Sequence, residues 1–135
     1  MTNWIIGHTE RFKAAVTERS ISNWTSFFGT SDIGYFFVEE EVRGVPLERS
    51  QHYVENSRIT YVHNVKTSVL IIHSEEDYRC PIEQGEQLFV SLKKLRKETK
   101  MLRFPEENHE LSRSGKPNHR TERLSQINGW FKKHL

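Results

Sequence analysis

Cysteine is almost absent from this sequence. The single cysteine, Cys80, leaves no partner for an internal disulfide. Long apolar runs are missing too, because none approaches the roughly 20 residues that a membrane-spanning helix needs. The N-terminal residues also lack the basic segment and apolar stretch of a signal peptide. We therefore expect a cytoplasmic protein with no membrane partner.

Charge of one sign is not in excess either. The 20 Lys and Arg residues nearly balance the 18 Asp and Glu residues, for a net charge of +2. This balance does not indicate a nucleic-acid partner. The densest basic run, Lys93–Lys97, lies at the end of a predicted helix, where cations are favourable. We interpret it as a solvated helix end rather than as a phosphate site.

The composition is polar for a globular chain. Hydrophobic residues make up 35% and charged residues 28% of the sequence, and the mean hydropathy is −0.72. A chain of 135 residues is expected to form one domain, and eight Phe, four Tyr and three Trp residues can fill its core. So polar a chain is expected to be marginally stable alone and to gain from a partner.

The distribution of apolar residues predicts alternating strands and helices. The clearest strand is 66–73, where Val69 to Ile72 is continuously apolar, as in a parallel strand buried on both faces. The other predicted elements are strands at 12–18 and 99–104, helices at 20–28, 47–56, 81–97 and 118–134, and loops at 29–47 and 105–117. Leu124, Ile127 and Phe131 are expected to form the apolar stripe of the last helix. We expect an α/β fold with about three parallel strands and flanking helices.

An acid and a histidine follow two consecutive predicted strands. Asp77 comes shortly after strand 66–73, and His109 comes shortly after strand 99–104. Because functional groups collect past the carboxyl ends of parallel strands, the fold should place them near each other. A histidine acts as a general base toward a hydroxyl, and an acid orients its ring and stabilises the imidazolium. The two residues are therefore candidates for the acid and base of a nucleophilic hydrolase.

Less specific interpretations compete with this one. Asp77 is also a good N-cap for the helix that follows, His109 has the features of an ordinary loop histidine, and spacing alone does not choose among Glu75, Glu76 and Asp77. A metal site is not favoured, because His109 and His119 are ten residues apart without a supporting His or Cys cluster. We expect no metal and no cofactor.

Cys80 and a set of aromatic side chains each have a structural and a functional interpretation. Cys80 directly precedes Pro81, and a packed structural cysteine explains it better than a nucleophile. An aromatic group is explained equally well by a substrate pocket and by the core; it comprises Trp24, Phe27, Phe28, Tyr35, Phe36 and Phe37.

Several motifs resemble a known family. The stretches that carry the likeness are Asn3–Val16, Ser20–Trp24, His73–Ile82 and Phe104–Ser112. They resemble the C-terminal half of the catalytic domain of prolyl oligopeptidase-type serine peptidases, in the acylaminoacyl-peptidase branch. The likeness extends over residues 1–135 and implies part of an α/β-hydrolase fold. It also implies that Asp77 and His109 are the triad acid and base, that substrates are acylated or short peptides, and that the substrate pocket includes the region from Ser22 to Phe37.

The nucleophile of that family is missing from these 135 residues. No Gly-x-Ser-x-Gly sequence occurs in them, and the family motif would end just before Met1. One oxyanion-hole amide follows that serine directly, and the family's β-propeller has no counterpart here. Neither Ser20 nor Ser22 lies on a glycine-flanked turn, and Ser74 stands where the family usually has glycine. We therefore expect a chain that is inactive by itself.

The missing part of the sheet suggests a partner. The edge of strand 12–18 would be unpaired, and a bare edge is a template for pairing with another chain. We expect a homodimer in which these edges, or exchanged elements, meet around a two-fold axis. The alternative is a separate upstream fragment that supplies the serine, in which case a peptide is a substrate only of the complemented pair.

Overall fold

A central parallel sheet with helices on both sides organises the chain. The computed structural model describes all residues, 1–135. Three strands pair in parallel in the order β1-β2-β3, which confirms the expected α/β fold. The elements in chain order are α1 (Thr2–Ile6), β1 (Ala14–Glu18), α2 (Trp24–Thr30), α3 (Gly34–Val42), α4 (Ser50–Asn56), a 3-10 helix (Arg58–Asn64), β2 (Ser68–Ser74), α5 (Glu83–Lys94), β3 (Thr99–Phe104), α6 (Leu111–Ser114) and α7 (Pro117–His134).

Strand β2 is buried on both faces, as its continuous apolar run predicts. Val69 and Ile71 point to one face, where they pack with residues of α1 and α5. Leu70 and Ile72 point to the other face and pack with Phe104, Leu111 and Trp130. Alternate residues of a strand face opposite sides, so a strand between two helical layers needs apolar residues at every position. The middle strand of the sheet therefore contributes to two cores.

A third core lies among the short helices between β1 and β2. Its buried residues are Trp24, Phe27, Val38, Val42, Tyr53 and Cys80. The expectation of a loop over residues 29–47 was wrong here, because Gly34–Val42 is a helix. Gly34 suggested a break in the chain, but a Cβ at this position would lie 2.4 Å from the Phe27 carbonyl oxygen. The glycine is needed because α3 starts in close contact with α2.

The helix boundaries and one apolar stripe also differ from the expectations. Helix α5 begins at Glu83 rather than at Pro81, and α6 lies within the expected loop 105–117. In α7, Leu124 is exposed and Trp130 is buried, so the expected stripe was shifted. Helix α7 contacts β1 and β2, and its residues in the adjoining core are Ile127 and Trp130. Periodicity alone does not show which turn of the helix meets the sheet.

The outer edge of β1 has no strand partner. Residues Ala14–Glu18 pair with β2 on one side only. Beside them lies a shallow, mostly apolar groove of about 210 Å³, which Ile5, Phe12 and Val16 help to line. No helix in the structure is both long enough and apolar enough to span a bilayer.

Candidate active site

Asp77 is held inside the loop that follows β2. Its side chain is fully buried, and its Oδ1 accepts a hydrogen bond from the Cys80 backbone N–H at 2.8 Å. The N-cap position of α5 belongs to Ile82, so Asp77 closes this turn and does not cap the helix. The turn fixes the carboxylate without using both of its oxygens.

His73, the penultimate residue of β2, also holds this turn in place. Its Nε2–H donates to the Cys80 carbonyl at 2.7 Å. Burial of the ring is the main cause that lowers the pKa of His73, since charging a desolvated imidazole is unfavourable. The neutral ring therefore acts as a hydrogen-bond donor to the acid loop, and its Nδ1 has no partner.

Two backbone hydrogen bonds join the acid loop to the loop that carries His109. The Glu75 N–H donates to the Phe104 carbonyl, and the Glu76 N–H donates to the Glu107 carbonyl, each at 3.0 Å. The loops follow neighbouring strands at the same end of the sheet. This connection brings the acid and the histidine together although they are 32 residues apart in sequence.

Asp77 and His109 are in direct contact. The His109 Nδ1–H donates to Asp77 Oδ2 at 2.9 Å and lies 3.1 Å from Oδ1. His109 keeps 30% of its side chain exposed. A carboxylate on Nδ1 holds the proton there and leaves Nε2 as the basic nitrogen. This arrangement can accept a proton from a hydroxyl group that approaches from the open side.

The neighbouring acids do not share this contact. Glu75 is exposed and forms an ion pair with Arg103 at 2.9 Å, and Glu76 is exposed as well. Sequence spacing left these three acids as alternatives, and the structure puts only Asp77 beside the imidazole. The reason is the turn closed by Cys80, which directs Asp77 inward.

Sequence reasoning missed the residues that hold the histidine loop. Glu107 is buried and accepts hydrogen bonds from the Lys116 backbone N–H at 2.8 Å and from His119 Nδ1 at 2.7 Å. Arg19, directly after β1, donates from Nη1 to the His109 carbonyl at 2.7 Å. The sequence signal that could have identified Glu107 is its charge, two positions before the candidate histidine. No local feature of the sequence identifies Arg19.

A cleft of about 500 Å³ opens beside His109. Of the aromatic pocket candidates, Trp24 lines this cleft, and the Arg58 guanidinium lies 4.7 Å from its ring centroid. Phe27 is fully buried in the helical core, where Phe28 and Phe37 pack against it. The rings of Tyr35 and Phe36 are exposed and contact each other edge to face.

The thiol and the histidines show no arrangement for metal binding. The structure contains no group of three or more His, Cys, Asp or Glu side chains that could hold an ion, and His119 is used by Glu107. Cys80 is buried and free. Burial is the largest cause that raises the pKa of this thiol to about 12, so it carries little thiolate at neutral pH.

Comparison with known proteins shows that the chain is similar to peptidases. The model of the prolyl oligopeptidase family matches residues 1–135. The uncharacterized peptidase YuxL of Bacillus subtilis is 56% identical over 135 residues, which cover 100% of this chain and 20% of that protein. Dipeptidyl-peptidase 5 of Arthroderma otae is 31% identical over 137 residues, or 98% of this chain and 18% of that protein.

A solved structure with a closely similar backbone is the acylaminoacyl peptidase of Pyrococcus horikoshii. Its TM-score is 0.96 at 38% identity, and the match covers 99% of this chain and 22% of that one. The chain therefore spans about a fifth of the length of the relatives it matches.

Proposed function

Because the chain belongs to the prolyl oligopeptidase family and has part of the α/β-hydrolase fold, we propose that Asp77 and His109 are the acid and base of a serine-peptidase site. The observation that carries this proposal is the hydrogen bond from His109 Nδ1 to a fully buried carboxylate, at 2.9 Å. A buried acid beside a half-exposed imidazole matches the needs of general-base catalysis. Residues 1–135 would then be the C-terminal half of a peptidase domain.

The chemistry follows from the two ring nitrogens. Nε2 removes the proton of a serine hydroxyl while the oxygen attacks the scissile carbonyl carbon, and the imidazolium then gives that proton to the leaving amine. Asp77 stays ionised, keeps Nδ1 protonated and stabilises the positive ring. Water enters by the same route, with His109 again as base, and releases the acyl group.

The serine is the part that these residues do not contain. No Gly-x-Ser-x-Gly sequence is present in the 135 residues, so in this proposal the serine and its oxyanion-hole amide come from residues outside them. In triad enzymes, removal of a triad member leaves only residual catalysis. We infer that the 135-residue chain by itself does not hydrolyse peptides.

The substrate class is proposed from the relatives and from the cleft. Two of the similar proteins are named an acylaminoacyl peptidase and a dipeptidyl-peptidase. We propose acylated or short peptides as substrates, with Trp24 of the cleft contacting them. The other aromatic candidates, Phe27, Phe28, Tyr35 and Phe36, would then support or border the pocket. The free Cys80 fits a reducing compartment, so a cytoplasmic location is part of the proposal.

The test is complementation. The chain is mixed or co-expressed with the part of the Bacillus subtilis relative that lies outside the matched residues. A fluorophosphonate probe and N-acetyl-alanine p-nitroanilide then report serine reactivity and hydrolysis. We expect no adduct on the chain alone, and an adduct with hydrolysis in the mixture.

The variants decide which residues carry the reaction. Asp77→Asn and His109→Ala should abolish hydrolysis in the mixture, whereas His63→Gln, a change at an exposed histidine, should not. Hydrolysis that survives His109→Ala would overturn the proposal. A stoichiometric adduct on the chain alone would overturn the expectation that it lacks a nucleophile.

A second candidate function is assembly, and the bare edge of β1 favours it. We propose that a second copy of the chain pairs with this edge, since Ala14–Glu18 has one unpaired side and an apolar groove beside it. Light scattering should then give the mass of a dimer. Phe12→Glu, in the groove, should weaken the dimer, and Tyr35→Glu, at an exposed aromatic elsewhere, should leave it intact. A monomer at all concentrations would contradict this proposal.

A further inference from the structure

Arg19 reaches from the end of β1 to the backbone of the proposed base. Its Nη1 donates to the His109 carbonyl oxygen at 2.7 Å, and the same nitrogen lies 3.7 Å from Glu110 Oε1. The two residues it contacts are adjacent, and both are 90 or more positions away in sequence. A charged donor on a backbone carbonyl forms a stronger hydrogen bond than a neutral one.

The backbone of Arg19 is itself constrained. Its φ is +38°, in the left-handed region that residues with a Cβ rarely adopt. Its N–H continues the strand pairing by donating to the Ile72 carbonyl at 3.1 Å. Such a conformation persists where the surroundings hold it, and it is found preferentially at functional sites. The turn directs the guanidinium toward the histidine loop instead of along the strand.

Asp77 and Glu107 also hold the histidine loop, but at other atoms. Asp77 holds the imidazole ring, and Glu107 holds the chain two residues before the histidine. Neither of them contacts the peptide group of His109 itself. Arg19 provides that contact, from the side of the loop that faces the cleft, which both residues line.

We propose that Arg19 is a positioning residue for His109. It fixes the peptide group of His109 so that Nδ1 stays aligned with Asp77 while Nε2 faces the cleft. The inference rests on the proposed function of His109 as the base. Arg19 takes no part in proton transfer and acts only through the loop.

Three variants test whether the hydrogen bond from Arg19 to the His109 carbonyl positions the histidine. Arg19→Gly removes the contact and suits the positive φ, so the variant should fold. Arg19→Lys keeps a charged donor and should retain part of the effect. Arg113→Gln is the matched control, because Arg113 pairs with Glu110 at 2.8 Å and does not bond to His109.

The first measurement uses the 135-residue chain and needs no activity. NMR follows the solvent exchange of the His109 Nδ1 proton that is shared with Asp77. Loss of a charge-assisted hydrogen bond should accelerate this exchange by roughly tenfold in Arg19→Gly, less in Arg19→Lys, and not in Arg113→Gln. An unchanged exchange rate in Arg19→Gly, or an equal acceleration in Arg113→Gln, would overturn the inference.

The second measurement uses the complemented pair and N-acetyl-alanine p-nitroanilide. We expect kcat to fall roughly tenfold in Arg19→Gly with KM unchanged, because alignment of the base matters in the transition state. A change in KM alone would also overturn the positioning role. If the wild-type pair does not hydrolyse the substrate while Nδ1 exchange still responds to Arg19→Gly, the peptidase proposal fails and the contact with His109 stands.

Discussion

A single methyl group added to α5 should destabilise the protein through His73. Gly85 lies in the first turn of this helix, directly over the buried imidazole. A Cβ at position 85 would lie 2.7 Å from His73 Nδ1 and 3.2 Å from the Met101 methyl group. The ring has little freedom to move, because its Nε2–H is bonded to the Cys80 carbonyl. Gly85→Ala therefore forces a strained contact or breaks that hydrogen bond.

Two opposing terms set the size of the effect. Alanine stabilises a helix relative to glycine by roughly 0.5–1 kcal/mol, and overpacking of a filled core costs about 1–3 kcal/mol. Because the neighbour is a buried ring rather than the end of a flexible chain, the second term should be larger. We expect the free energy of unfolding to fall by about 0.5–2 kcal/mol.

The assay is urea unfolding with Gly129→Ala as the control. Gly129 lies within α7 (Pro117–His134), and a Cβ there would meet nothing within 4 Å. This variant should show only the helix term, and the unfolding midpoint should rise. If Gly85→Ala is as stable as the wild type or more stable, α5 does not pack tightly against His73.

Three further predictions concern the same buried groups. Burial lowers the pKa of His73 in the native chain, so below about pH 6.5 the unfolded chain binds a proton at this ring and the native chain does not. The free energy of unfolding should therefore fall with pH, by up to about 1.4 kcal/mol per pH unit, until the native pKa is reached. Urea midpoints between pH 7.5 and 5 measure this. Cys80, whose pKa burial raises to about 12, should resist alkylation by iodoacetamide at pH 8 in the native chain and react after unfolding. Glu107→Leu should lower the free energy of unfolding by about 2–3 kcal/mol, because two donors lose their acceptor; urea unfolding measures the loss.

Each of these predictions has a result that contradicts it. A His73 ring that titrates by NMR at or above pH 6.5 would remove the basis of the acid effect. Alkylation of native Cys80 at the rate of the unfolded chain would show that the thiol is accessible. For Glu107, the comparison is Glu106→Leu, at an exposed neighbour that should leave the midpoint nearly unchanged. Equal losses in the two variants would refute a specific role for the buried carboxylate.

The sequence alone was sufficient for the framework of the fold. The apolar run in β2 indicated a strand buried on both faces, and the alternation of strands with helices indicated parallel pairing. Parallel strands end at the same edge of a sheet, so residues shortly after two consecutive strands were expected to be near each other. For this reason Asp77 and His109 were expected close together before any distance was known, and the structure puts them in contact. Their catalytic role stays a prediction.

Other features depended on contacts that no local pattern reveals. Helix α3 was missed because Gly34, needed for its close contact with α2, resembles a helix breaker in sequence. The core contains Trp130 and not the expected Leu124. This was missed because periodicity gives the faces of a helix but not the part that meets the sheet.

The sequence by itself determined which residue types lie at the carboxyl edge of this sheet, because the alternation of strands with helices implies that the strands run parallel. Only the tertiary structure decided which of them touch. The Asp77 turn closed by Cys80, and the reach of Arg19 to a carbonyl 90 residues away, depend on distances of a few ångströms. Such distances are set by the packing of the whole chain, and no short stretch of sequence encodes them.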